Sequence, residues 1–171
     1  MTKKENHLKL LGINQQHIYD CKAPVQVEAV ELVKAEPDIF GRPQFMTPTT
    51  LDCWQLMRDK AKLDSIDLQL VSAYRSIEYQ CNLIQGKIEL GRSIEEILRV
   101  NIIPGYSEHH TGRALDLTTP GFDALEESFE KSEAFIWLTK NASLFHFTMT
   151  YPQNNKFGII YEPWHWFCNE E

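Results

Sequence analysis

The stretch Arg113–Thr118 (RALDLT) embeds a carboxylate among apolar residues at strand spacing. Ala114 and Asp116 share one face of such a strand, and Leu115 and Leu117 share the other. A fold that contains it must sink the two leucines into a core and still find a partner for Asp116. A carboxylate buried without a partner costs too much free energy, so it has to be paired or bound to a metal ion. Gly112, immediately before the strand, permits the tight reversal that brings the preceding loop back over it. That loop carries His109, and a neutral imidazole with a carboxylate is a good pair of zinc ligands. Taken alone, Ser107–Asp116 (SEHHTGRALD) fits a surface histidine and a strand-end aspartate as well as it fits a metal site.

A second stretch near the C-terminus, Glu162-Pro-Trp-His165, offers a third ligand in His165 and a carboxylate three residues away. Catalytic zinc sites use three protein ligands and leave a fourth position for water, whose pKa drops to about 7. A neighbouring carboxylate that is not a ligand can take the water proton and hand it to a leaving amine. Glu162 suits that role, and Pro163 restricts the backbone that aims it. The competing explanation is a surface acid beside a half-buried aromatic cluster, Trp164-His165-Trp166. A third stretch, Ser72-Ala-Tyr-Arg75-Ser, places a guanidinium at the end of a core strand with Gln80 five residues on. A rigid fork of donors there can reach a substrate carboxylate or a developing oxyanion. A structural salt bridge for Arg75 and a solvated Gln80 would explain the same residues.

The rest of the chain supplies the scaffold. Residues 1–46 read as an irregular N-terminal extension lying on or beside the main domain, punctuated by Pro24, Pro37, Gly41 and Pro43. They include a short strand by alternation at Val25–Val33. A helix is predicted from about Thr50 to Leu63 by the apolar stripe of Leu51, Trp54, Leu56, Met57 and Ala61. A core strand follows at Asp67–Tyr74, then a helix capped by Ser76 and ended at Gly91. A shorter helix is predicted at Ser93–Asn101, with Ser93 and Glu96 forming a capping box. Helical stretches cover Asp123–Asn141, with Phe135, Trp137 and Leu138 inward. Phe145–Tyr151 and Phe157–Tyr161 read as strands joined by a turn, and EPWHWFC as a final strand. The sum is an α+β fold with a mostly antiparallel central sheet flanked by helices.

The 171 residues suit one main domain, and 43% hydrophobic with 24% charged residues is ordinary globular composition. The formal charge of −7 comes without any lysine- or arginine-rich run, which disfavours nucleic acid as a partner. No apolar stretch is long enough for a membrane span, and none follows the basic N-terminus as a secretory signal would require. As written, the chain is expected in the cytoplasm or exported by another route, and as a monomer. Cys21, Cys53, Cys81 and Cys168 form no CxxC pair, and Cys53 and Cys81 read as small buried hydrophobes within helices. His110 reads as an exposed residue.

Together the three stretches resemble the VanY-type D-alanyl-D-alanine carboxypeptidases, whose patterns are SxHxxGxAxD and ExWH. Here they stand as SEHHTGRALD (107–116) and EPWH (162–165), with SAYRSIEYQ (72–80) similar to the family's upstream S-G-Y-R-S-x-x-x-Q. The resemblance runs from about Thr47 to the end, in the family's order, and implies a fold related to the amino-terminal domain of Hedgehog proteins. It implies one zinc ion per chain held by His109, Asp116 and His165. It also implies Glu162 as general base, Arg75 at the scissile carbonyl or terminal carboxylate, and Ser107, Gln80 and Tyr74 lining the substrate site. The implied substrate is a peptidoglycan stem peptide, or a precursor ending in D-Ala-D-Ala. An L,D-carboxypeptidase acting on tetrapeptide stems and a non-catalytic zinc-binding module are the alternatives. Two positions depart from the pattern. Ala73 replaces the usual glycine, and His146 stands where relatives often carry a small residue.

Overall fold

The computed structural model describes residues 3–170 and shows an α+β architecture. Six helices appear in chain order: α1 (Lys3–Leu10), α2 (Gln15–Asp20), α3 (Pro48–Leu63), α4 (Ile77–Glu89), α5 (Ile94–Val100) and α6 (Glu133–Asn141). The strands are β1 (Val33–Lys34), β2 (Phe45–Met46), β3 (Gln69–Ser72), β4 (Ala114–Thr118), β5 (Phe147–Met149) and β6 (His165–Cys168). A two-stranded ribbon pairs β1 with β2, and the central antiparallel sheet has the order β3-β4-β6-β5.

The sheet has two chemically different faces, and its register decides which residues meet. Leu115 opposes Trp166, and Asp116 opposes His165. Because side chains alternate, Leu115, Leu117, Trp166 and Cys168 turn one way and Asp116 with His165 the other. The apolar side packs with Leu70 and Phe147 against Trp54, Met57 and Ala61 of α3 and Trp137 and Leu138 of α6. Each of the larger side chains contributes roughly 1.5–3 kcal/mol by leaving water. The indoles of α3 and α6 keep their N–H groups bonded, Trp54 to Glu36 at 2.7 Å and Trp137 to Asp64 at 2.8 Å. A smaller cluster joins Leu8, Leu11 and Ile13 to Cys81, Ile84, Ile97 and Ile103.

The helix starts follow their capping residues. Thr47 accepts from the Thr50 amide ahead of Pro48, Ser76 accepts from Tyr79, and the Ser93–Glu96 capping box is formed in both directions. Each cap satisfies an amide that the helix leaves free, worth about 1 kcal/mol. Cys53 and Cys81 are buried as expected, and all four thiols are free.

Three predicted elements differ. The segment read as irregular holds α1 and α2, and α2 starts at a reciprocal box. Asn14 Oδ1 accepts from the His17 amide, and His17 Nδ1 accepts from the Asn14 amide, both at 3.1 Å. Histidine replaces the usual Glu or Gln of that motif, so the signal is invisible to a search for acids. Of the strand expected at Val25–Val33 only Val33 enters a ladder. Gln26 and Ala29 instead donate singly to the carbonyls of Gly105 and His110 at 2.8 Å. The strand expected at Phe157–Tyr161 is a loop, and β5 pairs with β6 instead. Asn155 is the cause. Its side chain donates to the carbonyls of Pro152 and Ile159 and accepts from the amides of Phe157 and Ile159, taking up groups that a ladder would need.

Candidate metal centre

His109 comes from a 3-10 turn, Glu108–Thr111, that lies over β4. Ser107 caps the turn by accepting from the His109 amide, and Gly112 ends it in the left-handed region at φ 68°. Gly112 has no room for a side chain as well. A Cβ there would meet Leu32 Cδ2 at 2.9 Å, with Ala29 and Thr47 at 3.3 Å. The turn is fastened to the chain leaving β3. The Arg75 amide donates to the His109 carbonyl at 3.1 Å, and His109 Nδ1 donates to the Ala73 carbonyl at 2.6 Å. His110, read from sequence as exposed, is fully buried. Its Nε2 accepts from the Gly105 amide at 3.0 Å and its Nδ1 donates to the Arg75 carbonyl at 2.6 Å, so it is a neutral strut under the turn. Nothing in the spacing distinguished it from a surface histidine.

His109, Asp116 and His165 converge from the turn, the centre of β4 and the start of β6. All three are buried, at 2%, 4% and 2% exposure, and one donor atom from each lies within 4.8 Å of the others. His109 Nε2 stands 3.1 Å from Asp116 Oδ2, and His165 Nδ1 stands 3.1 Å from Asp116 Oδ1. Carbonyl oxygens only accept, so the bond to Ala73 fixes the proton of a neutral His109 on Nδ1 and leaves Nε2 as a bare lone pair. Nε2 is buried and has no hydrogen-bond partner among the described residues, although a carboxylate oxygen is beside it. Two buried electron pairs facing each other are stable only with a cation between them. Tetrahedral zinc with bonds of about 2.0–2.1 Å separates its ligands by roughly 3.3 Å, close to the spacing found here. The donor set fits such an ion.

The electrostatics agree with that arrangement. Burial holds His109 down to about 4, the nearby Arg75 cation acting the same way. Burial alone would raise Asp116, but the imidazoles of His109 and His165 outweigh it and hold the carboxyl far below its ordinary range. Burial would likewise lower His165. The hydrogen bonds to Asp116 and Glu108 outweigh it and push the ring up to about 10. Glu162 lies just before β6, its Oε2 3.8 Å from His165 Nδ1, and burial pushes its carboxyl up to about 7. The backbone aims it, since its amide donates to the Tyr151 carbonyl and its carbonyl accepts from the His165 amide.

Two clefts border the centre, one reaching the triad at Asp116 and the other reaching Glu162. One, of about 510 Å³, is lined by Tyr74, Arg75, Ser76, Lys87, Asn101 and Asp116. The other, of about 500 Å³, is lined by Cys21, Leu98, Asn101, Ile103, Ile160 and Glu162 among others. The first is cationic and the second largely aliphatic, and Asn101 borders both. Arg75 Nη2 lies 3.9 Å from Asp116 Oδ2, and its Nη1 is 3.4 Å from Gln80 Oε1. Ser107 and Gln80 are buried and line neither cleft. Ser107 caps the turn, and Gln80 bridges Arg75 to the Ile102 carbonyl. Tyr74 lines the cationic cleft and donates to Glu28. His146 is away from the centre, half-exposed and paired with Glu170 at 2.9 Å.

An antiparallel sheet carrying a buried His-Asp-His triad, with a neighbouring carboxylate and an arginine-lined cleft, defines a metallopeptidase-like class of protein. The sequence pattern of the VanY D-alanyl-D-alanine carboxypeptidase family matches residues 43–168, and the chain belongs to that family. The Bacillus subtilis protein YodJ is 31% identical over 126 residues, covering 71% of this chain and 45% of that one. A D-alanyl-D-alanine carboxypeptidase of Enterococcus faecalis is 27% identical over 118 residues, covering 63% and 42%. The chain thus spans less than half the length of these curated relatives. Among solved structures, the LdcB LD-carboxypeptidase superposes with a TM-score of 0.74 at 29% identity, covering 85% of this chain and 71% of that one. The vancomycin resistance D,D-pentapeptidase VanY from a VanB-type cassette, solved with Zn(II), gives 0.64 at 25%, covering 86% and 83%. Among the described residues no helix is long and apolar enough to cross a membrane.

Proposed function

We propose that this chain is a zinc-dependent D,D-carboxypeptidase that removes the terminal D-alanine from peptidoglycan stem peptides or precursors ending in D-Ala-D-Ala. The observation that carries the reading is the convergence of two imidazoles and one aspartate beside the half-buried carboxylate of Glu162. His109, Asp116 and His165 hold the ion. Bound there, zinc supplies Lewis acidity toward the scissile carbonyl and a water acidic enough to attack near neutral pH.

The chain's own groups do the rest. Glu162 accepts the proton of the attacking water and returns it to the leaving nitrogen, a task matched to a carboxyl titrating near neutrality. Arg75 donates to the oxyanion as it develops, or to the terminal carboxylate of the peptide. Tyr74 shapes the same cationic cleft. Ser107 and Gln80 act one step back, through the 3-10 turn and through Arg75.

A second reading, an L,D-carboxypeptidase that trims tetrapeptide stems, is favoured by the LdcB LD-carboxypeptidase's TM-score of 0.74 with this chain. The test is mass spectrometry of pentapeptide and tetrapeptide stems incubated separately with zinc-loaded protein, with and without a chelator. Loss of D-alanine from the pentapeptide alone supports the first reading, and loss from the tetrapeptide alone supports the second. Cleavage of neither, with zinc bound, overturns both.

A further inference from the structure

His165 has two ring nitrogens near carboxylates, and only one of them can face the ion. Nδ1 looks toward Asp116 and Glu162, at 3.1 and 3.8 Å. Nε2 points the other way and donates to Glu108 Oε2 at 2.8 Å. That same oxygen accepts from Thr150 Oγ1, also at 2.8 Å. Glu108 belongs to the 3-10 turn that carries His109, and Thr150 follows β5 directly. One carboxylate oxygen therefore ties together the turn, the end of β5 and the start of β6. The Tyr151 ring packs on the imidazole at 4.7 Å between centroids, tilted by 36°. The ring of His165 is thus held from its edge and from one face.

We infer that Glu108, braced by Thr150, is a positioning residue for the metal centre: it keeps the proton of His165 on Nε2 and so presents Nδ1 to the ion. The inference rests on the triad being the zinc site, as proposed above. A carboxylate behind a ligating imidazole fixes its tautomer and orientation and makes the free nitrogen a better donor. Glu108 is adjacent in sequence to His109 but serves the other histidine, across 57 residues of chain. One residue of the turn is thus bound to both ligand-bearing segments. The triad is held as a unit even though its members come from three separate elements.

The experiment measures zinc affinity by competition with a chromophoric chelator, together with the cobalt(II) absorption spectrum, for the parental chain and three variants. Glu108→Ala is expected to weaken zinc binding by about 10- to 100-fold and to alter the cobalt bands. Glu108→Met fills much the same space without an oxygen to accept from Nε2 and should recover little of that loss, whereas a merely space-filling role would predict recovery. Thr150→Val leaves Glu108 in place but unbraced and should cost a few-fold. It also serves as the reporter if Glu108→Ala fails to fold. The inference is overturned if Glu108→Ala, or Thr150→Val where the former does not fold, shows parental affinity and an unchanged spectrum. A parental chain that takes up no zinc overturns the zinc reading itself, and this inference with it.

Discussion

Asp116 and His165 are direct partners across β4 and β6, which places the aspartate Oδ1 3.1 Å from the imidazole Nδ1. The same pairing puts Leu115 opposite Trp166 on the far face of the sheet. Shifting the register by one residue would send both ligands into the apolar core, so core packing and the metal site enforce each other. His109→Ala and Asp116→Ala should each weaken zinc binding by at least about 100-fold. Metal analysis after chelation, reloading and dialysis checks this. Stoichiometric zinc in either variant removes that residue from the ligand set.

Zinc binding should release at least one proton per ion at pH 8, one from His165 and more to the extent that the bound water ionises. Without metal, His165 carries protons on both nitrogens, one shared with Asp116 and one with Glu108, and is pushed up to about 10. A ligating imidazole must give one of them up. His109, held down to about 4, is already neutral at that pH and contributes none. Apparent zinc affinity rises with pH, at least tenfold per unit while His165 remains protonated, and less steeply once the pH passes its value near 10. Zinc titrations by calorimetry in buffers of different ionisation enthalpy measure the proton count, and a count of zero would show that His165 is neutral before the metal arrives.

Glu162→Gln should keep zinc and lose turnover by roughly 10²- to 10⁴-fold. The parental pH profile provides a second check. A base must be ionised to act, so kcat/KM falls as pH drops through the Glu162 value. Burial pushes that carboxyl up to about 7 in the metal-free chain. A bound dication favours the ionised form, so the acid limb should appear at or below 7. Activity in Glu162→Gln at the parental level would assign the base elsewhere.

Much of this centre was legible from local chemistry. RALDLT declared a strand with one polar face, Ser93 and Glu96 declared a capping box, and the apolar stripe around Trp54 declared α3. The unread parts depend on contacts distant in sequence. His110 and Glu108 look like surface residues of a polar loop until the loop folds onto the chain after β3 and onto β6. The segment Phe157–Tyr161 has strand composition, yet the Asn155 side chain takes its backbone groups, and among the described residues no partner strand reaches it. The cap of α2 was missed because His17 occupies the position where an acid or amide is usual.

Gly112→Ala should destabilise the fold and weaken the metal site together, whereas Gly91→Ala should do only the first, and mildly. Both glycines sit in the left-handed region, at φ 68° and 86°. Giving either a side chain therefore costs about 1 kcal/mol in backbone conformation. Gly91 has open space around it, so that is the whole cost. At Gly112 the new methyl would press on Leu32, Ala29 and Thr47, and the backbone it displaces is bonded to the Thr47 amide and to the His109 carbonyl. Relief of the clash must move the 3-10 turn and His109 with it. The expected loss is about 2–3 kcal/mol for Gly112→Ala against about 1 for Gly91→Ala. At roughly 2–4 °C per kcal/mol for a chain of this size, thermal unfolding of the metal-free proteins resolves the two. Zinc affinity measured alongside should fall only in Gly112→Ala. Equal effects of the two substitutions on both measurements would mean that the tight approach of Gly112 to its neighbours does not position His109.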